Sequence, residues 1–105
     1  MATPVVVVDG DTVAAELPAG DLFPMLVDVG ETMGDVVHLD PEGGLLEVIA
    51  QFAGYGPCSV LLSLQGRGTG MTEAWCTVET LSGGPPPPTA AVAELLADGL
   101  RRLVA

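Results

Sequence analysis

The stretch DLFPMLVDVGETMGDVVH, residues 21–38, decides how many strands the sheet of this protein has. Leu22, Met25, Leu26, Val29, Met33, Val36 and Val37 recur at the spacing of an amphipathic helix, and Asp28, Glu31 and Asp35 share its opposite side. Asp21 stands where an N-cap would, and Pro24 falls in the first turn, where proline is tolerated. The rival reading is two short strands, residues 25–29 and 35–39, because Gly30 and Gly34 each cost a helix about 1 kcal/mol relative to alanine. The periodicity carries more weight, and it predicts a helix.

Upstream of this stretch, residues 5–8 are four valines, followed by Asp9-Gly10-Asp11 and the run from Thr12 to Leu17. β-Branched residues on either side of Asp-Gly predict a β-hairpin, which Pro18-Ala19-Gly20 ends. Downstream, Asp40-Pro41-Glu42 reads as a helix start, with Leu45, Leu46, Val48, Ile49, Phe52 and Ala53 as its buried stripe and Gly54 as its stop. Residues 59–65 and 71–81 predict a second hairpin around the loop Gly66-Arg67-Gly68-Thr69-Gly70. In its second strand Ala74, Cys76 and Val78 point one way, and Glu73, Trp75, Thr77 and Glu79 the other. A hairpin centred on Gly68 sets Trp75 across from Leu61, and it brings Cys58 and Cys76 near each other on the opposite face. One of the helices is expected to cover the face that Trp75 shares with Glu73, Thr77 and Glu79; the alternative is a protein interface anchored by the tryptophan. The four prolines 85–88 form a stiff connector to a final helix capped by Thr89, with the stripe Val92, Leu95, Leu96, Leu100, Leu103 and Val104. The fold expected is α+β: one domain over residues 1–105, with a small antiparallel sheet of two hairpins packed with two or three helices.

Charge is unevenly spread along the chain. Its formal net charge is −11; residues 1–66 hold ten acids and no lysine or arginine, and residues 67–105 hold four acids and three arginines. Such a field repels nucleic acids and anionic membranes and steers basic partners inward; solubility is the simpler account of it, and a surface for a basic partner or a mimic of nucleic-acid charge is the functional one. No apolar run approaches the ~20 residues that span a bilayer, and Met1-Ala2-Thr3-Pro4 has no basic n-region. A cytoplasmic location is the expectation. The absence of lysine and asparagine beside much Ala, Gly, Val and Pro fits a high-GC bacterial genome. Two cysteines and one histidine make neither a disulfide framework nor a His-based zinc site, and small buried thiols are expected.

Val5-Val6-Val7-Val8-Asp9-Gly10-Asp11-Thr12-Val13 resembles the first motif of the haloacid dehalogenase phosphatases, over nine residues. The resemblance implies Asp9 as nucleophile and Asp11 as acid/base beside magnesium. That chemistry also needs a cation on the phosphoryl group, and this chain offers no lysine; a hairpin turn written in Asp and Gly accounts for the same residues. The glycine-rich loop with Arg67 leads into a predicted strand rather than a helix, so it is read as a flexible hairpin tip with Arg67 as a contact residue. His38 beside Glu31 and Asp35 is read as solvated. No acid cluster has the spacing of a calcium loop.

No catalytic set, metal cluster or cofactor loop assembles, and the expectation is no enzyme, no cofactor and no metal site. The favoured reading is a small acidic protein-binding module of the immunity-protein, antitoxin, secretion-chaperone or adaptor type, whose protein partner is basic. Its contact candidates are Trp75, Leu61, Arg67, Asp28, Glu31 and Asp35. The predicted order helix, strand, strand, helix from Asp40 to Val104 is similar to the C-terminal half of the type III secretion chaperones, which implies an unfolded or basic client. The alternatives are a homo-oligomeric structural or phage-type assembly subunit, with Trp75 pairing between copies, and a small ligand-binding or catalytic domain with a pocket between sheet and helices.

Overall fold

A computed structural model describes residues 3–68 and 70–105. Met1 and Ala2 of the N-terminal tetrapeptide and Thr69 of the glycine-rich loop lie outside the described residues. The chain forms β1 (Val6–Asp9), β2 (Thr12–Ala15), α1 (Ala19–Met33), β3 (Gly34–Asp40), β4 (Leu45–Phe52), β5 (Gly56–Gly66), β6 (Thr72–Thr80) and α2 (Thr89–Val104). The strands make one six-stranded antiparallel sheet in the order β1-β2-β6-β5-β4-β3. The α+β class and both expected hairpins are present; the sheet has two strands more than those hairpins supply.

Asp9 pairs with Thr12, so the first hairpin turns through Gly10-Asp11 rather than Asp9-Gly10, with Gly10 at φ 62° in the first central position, where a positive φ favours glycine. From β2, α1 crosses the sheet to its far edge, and the meander β3 to β6 returns until β6 pairs with β2. α1 lies over β3, β4 and β5, while α2 lies over β1, β2 and β6 and packs against α1. Both helices thus cover one face. Beneath them Val13, Ala15, Leu46, Val48, Ala50, Cys58, Val60, Leu62, Ala74 and Cys76 meet Leu22, Leu26, Val92, Leu96 and Leu100 in a single core. Among the described residues no helix is long and apolar enough to cross a membrane.

The decisive stretch divides in two. Its first part is helical, as the periodicity predicts, but α1 starts at Ala19 behind Pro18 with no side-chain cap from Asp21, and Pro24 lies inside it rather than in the first turn. Its last part is strand. Gly34 is where the change occurs: a Cβ there would overlap the Ile49 carbonyl oxygen, so the backbones of β3 and β4 meet too closely for any side chain. Gly30, a poor helix former, is buried with Val48 Cγ2 only 2.8 Å from where its Cβ would be, so it lets α1 settle on β4.

The helix expected from Asp40 is β4 instead. Asp40 accepts a hydrogen bond from the Gly43 N–H (3.1 Å), closing a turn through Pro41, and Gly44 has φ 69°. Leu46, Val48 and Ala50 are buried at period two, with Leu45, Glu47 and Ile49 on the other face. Short apolar runs are ambiguous between strand and helix; pairing with β3 and β5 on both sides resolves this one. With that helix goes the similarity to the secretion chaperones, since the order from residue 40 is strand, strand, strand, helix. α2 also begins behind Pro88 with no side-chain cap from Thr89. Its buried residues are Val92, Ala93, Leu96, Ala97 and Leu100, while Leu95 and Leu103 are half-exposed. Arg101 donates from Nη2 to the Val6 carbonyl (3.0 Å) and pairs through Nη1 with Asp98 (3.0 Å), tying α2 to the edge strand β1.

Candidate functional site

Among the described residues no helix packs on the second face of the sheet: the helix expected over Trp75 is not there, because α1 and α2 both bury their apolar sides on the first face. Strand alternation sends to the second face Val7 and Asp9 of β1, Thr12 and Ala14 of β2, Leu45, Glu47 and Ile49 of β4, Ser59, Leu61 and Ser63 of β5, and Glu73, Trp75, Thr77 and Glu79 of β6. Trp75 is 48% exposed and Leu61 39%, and both stand on the two central strands. Soluble sheets with one bare face usually present polar residues there; a tryptophan at the centre departs from that pattern.

The registers place these side chains relative to one another. Trp75 is opposite Ser63, and Leu61 is opposite Thr77, so the β5–β6 register differs by two residues from that of a hairpin centred on Gly68. Trp75 and Leu61 remain on one face as diagonal neighbours rather than direct partners. The diagonal continues. Ile49 is opposite Ser59, two residues before Leu61, and Trp75 is opposite Thr12, two residues before Ala14. Each step moves one strand over and two residues along in the same sense. The result is an apolar stripe, Ile49–Leu61–Trp75–Ala14, across β4, β5, β6 and β2, with half-exposed Val7 beside Ala14 on β1.

Acids flank the stripe on both sides. Glu47 lies beside Leu61 and Glu73 beside Ala14; on the other side Glu79 lies beside Ser59 and Asp9 beside Thr12. Ser59 donates its hydroxyl proton to Glu47 Oε2 (2.6 Å), and Arg67 Nε donates to Glu73 Oε1 (3.0 Å), so two of these carboxylates are held in place. Arg67 thus sits at the end of the bare face, engaged with Glu73. Asp35, opposite Ile49, and His38, opposite Glu47, belong to the edge strand β3, where Val37 forms a bulge between them.

The remaining contact candidates lie elsewhere. Asp28 is on α1, beside a groove of about 150 Å³ between α1 and α2 that Val29, Thr32, Gly99, Arg102 and Leu103 also line. Glu31 lies with Asp35 along an open hollow at the β3 edge. The structure therefore gathers Trp75, Leu61 and Arg67 on the bare face, sets Asp35 at its β3 edge and leaves Asp28 and Glu31 on the helical side. Ile49, Ala14 and Glu47 join this face although they are not among the expected contact residues. Residues 45–52 carry no alternation that would send Glu47 and Ile49 to a sheet face, because their polar members Glu47 and Gln51 stand four apart, as on a helix; Ala14 lies in the second strand of the expected first hairpin.

Asp9 ends β1 and Asp11 is the second residue of the two-residue turn into β2, a hairpin that accounts for their spacing without a phosphatase motif. Cys58 and Cys76 are both buried and free on the covered face. Cys58 is opposite Thr80 and Cys76 opposite Leu62, four residues apart along the ladder, so the expected proximity is not found. Burial pushes the Cys76 thiol up to about 12, with the Asp11 carboxylate adding to the shift. No family model matches this chain, and no curated protein matches it.

Proposed function

We propose that this protein is a non-enzymatic binding module that recognises a basic protein through the bare face of its sheet. The observation that carries this reading is a half-exposed tryptophan on a central strand, set in an apolar stripe with carboxylates on either side. Tryptophan is a favoured interface anchor because it buries a large rigid surface at little entropic cost. The acidic surround adds long-range steering of a cationic partner, screened over about 10 Å at 0.1 M salt.

Affinity capture from a native-host lysate at low salt, with stepwise salt elution, tests the reading. A basic protein retained by the parent chain, released by salt and lost from the Trp75→Ala variant is expected. Recovery of the chain alone, or a complex indifferent to both salt and Trp75, would overturn it.

A further inference from the structure

Resting on that reading, we infer that the segment received by the bare face is an amphipathic α-helix, apolar along one side and bearing lysine or arginine on both flanks, which lies along the Ile49–Leu61–Trp75–Ala14 diagonal. The first argument is topological. A partner strand adds to a sheet at its edges, here β1 and β3, by completing unpaired backbone groups. The stripe instead runs over the interior strands β4, β5, β6 and β2, whose backbone bonds are already made on both sides. Only a further layer can cover it, and a helix with one apolar side is the simplest layer that a sheet face accepts.

The second argument is shape. With strands about 4.8 Å apart and about 6.7 Å per two residues, three diagonal steps cover roughly 25 Å. A helix rising 1.5 Å per residue spans that length in about 16 residues. A narrow stripe suits a narrow object.

The third argument is charge. Glu47 and Glu73 border one side of the stripe, and Glu79 and Asp9 the other. A helix with basic residues on both flanks meets a carboxylate on each. A second copy of this chain would bring the same acids against one another, on top of a charge of −11 per protomer, so a self-paired face is disfavoured.

Trp75 is the sole tryptophan, and its emission therefore reports directly on the stripe. The test titrates the full chain with an 18-residue leucine–lysine peptide whose leucines recur at helical spacing. The control is a peptide of the same composition with its order scrambled to remove that spacing. Saturable binding with a blue shift of Trp75 is expected, at least tenfold tighter for the periodic peptide and weakened at least tenfold by Leu61→Glu. Leu61 is exposed, and circular dichroism and thermal melting check that the variant folds. Equal binding of both peptides would overturn the helical occupant while leaving a basic partner standing. Binding of the periodic peptide that leaves Trp75 emission and the Leu61→Glu variant unaffected would overturn the location. No binding of either peptide, or a dimer in sedimentation that buries Trp75, would overturn the helix–stripe proposal; the lysate capture then decides the wider reading separately.

Discussion

Leu61 and Leu62 are adjacent residues of one strand with opposite fates. Leu62 is completely buried under the helices, whereas Leu61 is 39% exposed on the face opposite them. The same contrast separates Cys76 from Trp75 on β6. The covered face meets α1 and α2 and holds the domain together; the bare face holds the apolar side chains that folding leaves unused. An exposed leucine alone is unremarkable on a protein surface. Four apolar residues on one diagonal through the middle of a sheet are a different matter, and their contribution to stability separates the two faces by experiment.

The largest expected difference lies in the leucine pair. Leu62→Ala should cost about 2–5 kcal/mol through lost burial and a cavity, and Leu61→Ala less than about 1 kcal/mol. Urea unfolding of the two variants checks this, and equal costs would mean that the bare face is covered in solution. Gly34→Ala should follow at about 2–3 kcal/mol, because its methyl group must push β3 from the Ile49 carbonyl. An unchanged melting curve would show that the two backbones have room to part.

The third test is alkaline. The Cys76 thiol is raised from 9.0 to about 12 by burial, then by Asp11. Between those values the unfolded chain has released this proton and the folded chain has kept it, so the contribution is complete below pH 9 and declines as pH rises toward 12. A loss of about 1 kcal/mol by pH 10 is expected, and Cys76→Ala should flatten the profile by that amount. Trp75→Ala should change stability by less than about 1 kcal/mol while abolishing partner capture. Smallest of all, Arg67→Gln breaks an exposed ion pair with Glu73 and should cost at most about 0.5 kcal/mol in denaturant unfolding.

Much of the face was legible residue by residue. The alternation around Trp75 separates Glu73, Thr77 and Glu79 from Ala74, Cys76 and Val78, and the sheet keeps that separation. The hairpin reading sets Leu61 on the same side as Trp75, and the observed register differs from it by two residues, because the loop geometry rather than its composition sets where a hairpin closes. Ile49 was out of reach. Leu45, Leu46, Val48 and Ile49 suit a buried helix and a central strand equally, and the hydrogen bonds that choose between them come from β3 and β5, distant in sequence.

By itself the sequence determined what depends on neighbours along the chain. Four valines before Asp-Gly make the first hairpin, alternation makes β5 and β6, the leucine periodicity makes α2, and the placement of acids makes the N-terminal two-thirds negative. Tertiary structure decided what depends on neighbours across it: that α1 ends at Met33 so that Gly34–Asp40 can pair with β4, that residues 45–52 are strand, and that both helices lie on one face. The helix covering Trp75, which local pattern leaves open, is absent because α1 and α2 meet their apolar sides together on the other face. Propensity acts within a few residues, whereas strand pairing and layer packing join segments far apart; the bare stripe is a product of the second kind of choice.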